Sequence, residues 1–128
     1  MNARYRTPLK NVRGLGAAKV GTEHFVLQRL TATALVPLTI WFLIFVLGLL
    51  GSDYLTASDA VRKPWNAVLL AGFIVAAFWH AQLGVQVVLE DYVHNSLFAL
   101  AAQVAVKFVA ILGALVGLFA VARIALGS

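Results

Sequence analysis

An all-α membrane protein with three transmembrane helices, its N-terminus cytoplasmic and its C-terminus outside, is the fold this sequence predicts. Three observations predict it. Hydrophobic residues make up 62% of the 128 and charged residues 12%, at a mean hydropathy of +0.90. Soluble chains run nearer about 45–50% and about 25%, so a soluble protein this small could not cover itself with polar side chains. Second, three apolar runs, near 30–50, 65–89 and 97–126, each reach the roughly 20 residues that cross a bilayer. Third, charge is lopsided. Arg4, Arg6, Lys10, Arg13, Lys19 and Arg29 all precede the first run, whereas Asp53, Asp59, Arg62 and Lys63 cancel in the loop after it. That bias places the N-terminus in the cytoplasm beside anionic headgroups, and it reads as a topology signal rather than a nucleic-acid patch.

The chain divides into a basic arm, residues 1–22, and a three-helix anchor, residues 23–128. Gly14, Gly16 and Gly21 with Pro8 keep the arm irregular on the membrane surface or a partner. Thr22 suits an N-cap for a helix starting at Glu23. Span 1 contains Pro37, tolerated in lipid when neighbouring groups satisfy the freed carbonyl; Trp41 packs or faces lipid. Residues 51–64 read as a polar outer loop, with Tyr54 and Trp65 at the interface belt. Residues 90–97 form a short cytoplasmic connection carrying Glu90, Asp91, Tyr92, His94 and Asn95. The third run is longer than a bilayer needs, which predicts tilt. The first apolar run lacks an export cleavage site, and the short N-terminus points to a bacterial cytoplasmic (inner) membrane. There is no cysteine, which excludes disulfides and iron–sulfur ligation by this chain.

The chemistry concentrates in His80-Ala-Gln-Leu-Gly-Val-Gln-Val-Val-Leu-Glu-Asp-Tyr92. A helix turns about 100° per residue, so Asp91 returns to within about 20° of His80's azimuth, roughly 16 Å further along. Gly84 lies one turn on from His80 and leaves bare backbone beside it. Such a face suits a flat aromatic cofactor below a polar rim. Ionisable groups at mid-membrane depth are rare and usually functional. Two readings of His80 stand together: a hydrogen bond to a neighbouring helix, or an axial ligand to haem iron. His24 and His94 lie near the cytoplasmic surface, out of reach of the far side of an iron held at His80. If a haem here has two histidine ligands, the second must come from another chain. Arg29, at the entrance of span 1, either snorkels to the interface or pairs with a haem propionate or quinone headgroup. Lys107 shares a face with Gln103 and either snorkels or meets a polar pocket. Arg123 reads as an outer anchor. Asp91 and Tyr92 are interfacial residues or a quinone-binding pair, in which the phenol donates to a quinone carbonyl.

Together these residues resemble the D-type hydrophobic anchor subunit of succinate dehydrogenase, respiratory complex II. The resemblance rests on His80-Ala-Gln-Leu-Gly84 with Asp91-Tyr92 downstream, on Glu23-His24-Phe25-Val26-Leu27-Gln28-Arg29 entering span 1, and on three helices in about 120 residues. It covers nearly the whole chain; the histidine-to-Asp-Tyr element is its specific part. It implies His80 as an axial ligand of haem b, with the opposing histidine on a C-type cytochrome b anchor subunit. It implies Tyr92 and Asp91 at a ubiquinone site, and Arg29 near a propionate and that site. It implies partners too, an iron–sulfur subunit and a flavoprotein subunit that oxidises succinate, docked at the cytoplasmic edge. It gives Lys107 no role. The sequence leaves open a fumarate reductase anchor running the reaction in reverse, and a non-redox membrane scaffold.

Overall fold

The structure is a computed structural model and describes residues 17–127. It contains four helices, α1 (Ala17–Gly48), α2 (Tyr54–Arg62), α3 (Pro64–Tyr92) and α4 (Ser96–Ala125), and no strand among the described residues. Three of them are long and apolar enough to cross a membrane. At about 1.5 Å per residue they run roughly 44–48 Å, against a hydrocarbon thickness of about 30 Å, so their ends enter the headgroup layers.

The helices form one layer rather than a closed bundle. α3 is the middle member. α1 packs on one side of it and α4 on the other, and α1 and α4 do not pack on each other. Three pairs set the antiparallel register of α1 on α3: Phe42 stacks on Phe73 at 4.5 Å, Thr31 meets His80, and His24 meets Gln86. A single layer buries little. Among the described residues Leu70, Ala76 and Leu83, all on α3, are the buried apolar ones, and most large apolar side chains of α1 and α4 are exposed. In water that surface would drive aggregation. In lipid it is a matched solvent, and packing is left to van der Waals fit and interhelical hydrogen bonds.

The fit is closest between α3 and α4. A Cβ built on Gly113 would fall on the Phe78 ring, 2.7 Å from Cζ, and one on Gly117 would stand 3.1 Å from Ile74 Cγ2. The two glycines are four apart, a small-xxx-small pair that lets a neighbouring helix approach. Sequence reading passed over this motif.

Two expectations are corrected. Thr22 is not an N-cap, because α1 is already helical from Ala17; no proline lies between Ala17 and Thr22 to break the helix there. The arm expected over 1–22 otherwise lies outside the described residues. The loop expected over 51–64 contains α2. Gly51, at φ +79°, makes the turn after α1, and the Asp53 carboxylate caps α2 by accepting from Thr56 N at 2.9 Å. α2 then rests against the end of the layer. Asn66 Nδ2 donates to Ala60 O at 2.8 Å, and Arg62 Nε donates to Ile124 O at 3.3 Å. α1 passes through Pro37 as one helix. At the other end of the layer, Asn95 caps α4 by accepting from Leu97 N and Phe98 N, which keeps the α3–α4 connection to three residues.

Candidate functional site

His80 lies 12 residues before the end of α3, roughly 18 Å by helical rise, near the middle of the span. It is half-buried. Its Nδ1 is 3.0 Å from the Thr31 hydroxyl across the α1–α3 interface. Thr31 is itself buried, 7% exposed, and its Oγ1 also lies 2.9 Å from Leu27 O and 3.0 Å from Gln28 O. The other ring nitrogen of His80, Nε2, has no hydrogen-bond partner among the described residues. Beside the ring is a cavity of ≈ 270 Å³, lined by Phe25, Gln28, Arg29, Ala32 and His80 and open away from the chain.

Arg29 shares that cavity. Helical spacing explains why: Phe25, Arg29 and Ala32 recur at i, i+4 and i+7 and so lie on one flank of α1. The guanidinium sits 4.9 Å from the centre of the Phe25 ring, a contact worth about 0.5–1 kcal/mol where exposed. It forms no ion pair among the described residues. A cation with a weak aromatic partner and an imidazole therefore line one recess, beside the Gln28 amide. Gly84, one turn beyond His80, has nothing within 4 Å of the position a Cβ would take, so the backbone is bare there as expected.

The structure does not bring Asp91 and Tyr92 into this recess. Both are exposed at the end of α3, and neither lines the cavity. They stand at the rim with His94, also exposed.

A second polar feature was missed at the sequence level. Gln82 Nε2 donates to Gln86 Oε1 at 3.0 Å, Gln86 Nε2 donates to Glu90 Oε1 at 3.2 Å, and Gln86 Nε2 lies 3.3 Å from His24 Nε2. Gln86 is buried, 8% exposed. The i, i+4, i+8 spacing of Gln82, Gln86 and Glu90 was the available signal, since residues four apart share a helix face. The ladder ties α3 to His24 of α1, so His24 serves the helix interface. Gln82, about 200° round α3 from His80, lines an apolar groove of ≈ 330 Å³ against α4, together with Trp79 and Lys107. Lys107 is exposed and lines this groove without a hydrogen bond to Gln82.

No cluster of three or more His, Cys, Asp or Glu side chains that could hold a metal ion occurs among the described residues. The recess supplies one imidazole, one guanidinium, the Gln28 amide, a phenyl ring and an open side. That donor set could supply one nitrogen ligand and one wall of a site for a flat macrocycle, the other wall coming from elsewhere.

Comparison with known proteins gives the family. The family model described as succinate dehydrogenase/fumarate reductase transmembrane subunit matches residues 3–122. The chain is 34% identical over 108 residues to a succinate dehydrogenase hydrophobic membrane anchor subunit of Rickettsia bellii, covering 84% of this chain and 86% of that one. It is 30% identical over 128 residues to that of Paracoccus denitrificans, covering 98% and 96%. It is 31% identical over 97 residues to a succinate dehydrogenase membrane anchor subunit of Reclinomonas americana, covering 73% and 80%. No solved structure matches.

Proposed function

Because the chain belongs to the family of succinate dehydrogenase/fumarate reductase transmembrane subunits, a multi-pass protein of the bacterial inner membrane, we propose that it anchors a succinate:quinone oxidoreductase and supplies half of a haem b site and part of a ubiquinone site. The observation that carries the haem part is His80. An imidazole at mid-membrane is held at one nitrogen by Thr31, its other nitrogen has no hydrogen-bond partner among the described residues, and the ring lines a recess that Arg29 also lines.

His80 would hold the haem iron from this chain through Nε2, and a C-type anchor subunit would supply a second histidine. When bound, haem b supplies a reversible one-electron centre. Arg29 would pair with a propionate, since a guanidinium fork matches a carboxylate, or with the quinone headgroup. Phe25, Ala32 and the bare backbone at Gly84 would give the ring apolar contact and keep water out. At the rim, Tyr92 would donate a hydrogen bond to a quinone carbonyl. Asp91 would pass protons in from water as the quinone is reduced. Succinate would be oxidised in a flavoprotein subunit and electrons would arrive through an iron–sulfur subunit, both docked at this rim, so the end carrying Tyr92 would face the cytoplasm.

A reduced-minus-oxidised absorption spectrum of the purified complex tests this. The wild type is expected to show a b-type signal that is lost in His80→Ala while the subunits still co-purify. A His80→Ala complex with an undiminished haem spectrum would overturn the ligand assignment.

A further inference from the structure

We infer that Thr31 is a positioning residue for the iron site: its hydroxyl sets the tautomer of His80, so that Nδ1 carries the proton and Nε2 presents its lone pair. The inference rests on the haem reading above.

The argument is one of proton counting. A threonine hydroxyl has one proton to give and two lone pairs with which to accept. Thr31 Oγ1 lies within hydrogen-bond distance of three atoms: Leu27 O at 2.9 Å, Gln28 O at 3.0 Å and His80 Nδ1 at 3.0 Å. Carbonyl oxygens only accept. The hydroxyl proton must therefore point between the two carbonyls, as a shared, bifurcated donor. Were it turned to Nδ1 instead, three oxygens would crowd within 3.0 Å with no proton among them, and at 7% exposure little water could relieve the repulsion. The remaining contact then has Nδ1–H donating to Thr31 Oγ1. A neutral imidazole carries one N–H, so Nε2 is left with a lone pair and no partner among the described residues. His80 lines the recess together with Phe25, Gln28, Arg29 and Ala32.

Two properties follow. Threonine is β-branched and stiff at χ1, and its hydroxyl is tied to its own helix backbone, so the imidazole plane is held by a rigid acceptor on α1. The acceptor is also neutral. A hydroxyl polarises Nδ1–H less than a carboxylate would, so the imidazole remains a moderate donor to the metal. Outer-sphere partners of metal-bound histidine orient the ring and raise its basicity in this way.

The test uses the assembled complex with Thr31→Val, which keeps the branched shape without a hydroxyl, and Thr31→Ser, which keeps the hydroxyl. Thr31→Val is expected to weaken haem retention by about 10- to 100-fold, the range for loss of such a partner. Its residual haem should titrate at a higher midpoint potential, because the less polarised imidazole stabilises ferric iron less. Thr31→Ser should return both quantities toward wild type. Wild-type haem content and potential in Thr31→Val would overturn the inference. So would Thr31→Ser behaving like Thr31→Val, since a hydroxyl at this position would then not be enough to support the site. A third measurement does not need the cofactor: nitrogen-15 shifts of the His80 ring in haem-depleted complex should show the proton on Nδ1. A proton on Nε2 there would refute the tautomer even where haem binds. A wild-type complex with no His80-dependent haem signal would instead refute the haem reading and, with it, the iron role of Thr31.

Discussion

Replacing Gly113 by alanine should weaken the α3–α4 contact, and the size of the effect can be worked from the glycines of this layer. A methyl at Gly113 would overlap the Phe78 ring, at 2.7 Å from Cζ, whereas a methyl at Gly72 would meet nothing within 4 Å. Both glycines lie inside long helices. Both substitutions therefore gain the same backbone term, about 0.8–1 kcal/mol for alanine over glycine in a helix. That term cancels in the comparison, and the steric term remains. Extra carbon in a packed interface costs about 1–3 kcal/mol. Phe78 also lines the grooves on both sides of the contact, so its ring can tilt aside, which favours the lower half of that range. Gly113→Ala should thus fall about 1–2 kcal/mol below Gly72→Ala, or roughly five- to thirty-fold in an unfolding equilibrium. Titrating the detergent-purified complex with a denaturing detergent, read by helical circular dichroism, measures the difference. Adding Phe78→Leu to Gly113→Ala should recover part of the loss, because the two changes share one contact. Equal stability of Gly113→Ala and Gly72→Ala would show that α3 and α4 do not approach as closely as described.

Two further outcomes are expected. Tyr92→Phe should lower succinate-driven quinone reduction several-fold while succinate oxidation with a soluble dye acceptor stays near wild type; equal loss in both assays would count against a hydrogen bond to the quinone. Hydrogen bonds from Thr56 hold the Asp53 carboxyl below its ordinary value of 3.8, so the charged cap is present above the ordinary carboxylate range and is lost as pH falls through the depressed pKa. The Thr56 amide proton should accordingly titrate by NMR with a midpoint below 3.8 and lose that step in Asp53→Ala; a midpoint at or above the ordinary value would contradict the cap.

Residue composition and order alone determined that this chain lives in a membrane and crosses it three times, because 20-residue apolar runs have no soluble solution of this size. They also singled out His80, Arg29 and Gly84, since a buried imidazole, an entrance arginine and a bare turn are legible one residue at a time. Where α1 begins and what the residues after Gly51 do were less legible: a helix start without a proline or a strong cap leaves no local mark, and the nine residues of α2 carry too little apolar periodicity to stand out. Only the tertiary structure decided who meets whom. Thr31 and His80 are 49 positions apart, and His24 and Gln86 are 62 apart. Nothing in local propensity relates such positions. The register is chosen by which side chains of two antiparallel helices can satisfy one another where water cannot. The same packing put His80 and Arg29 on one recess and left Tyr92 at the rim. Sequence spacing had placed them along an axis, but only the pairing of helices could say which of them share a cavity.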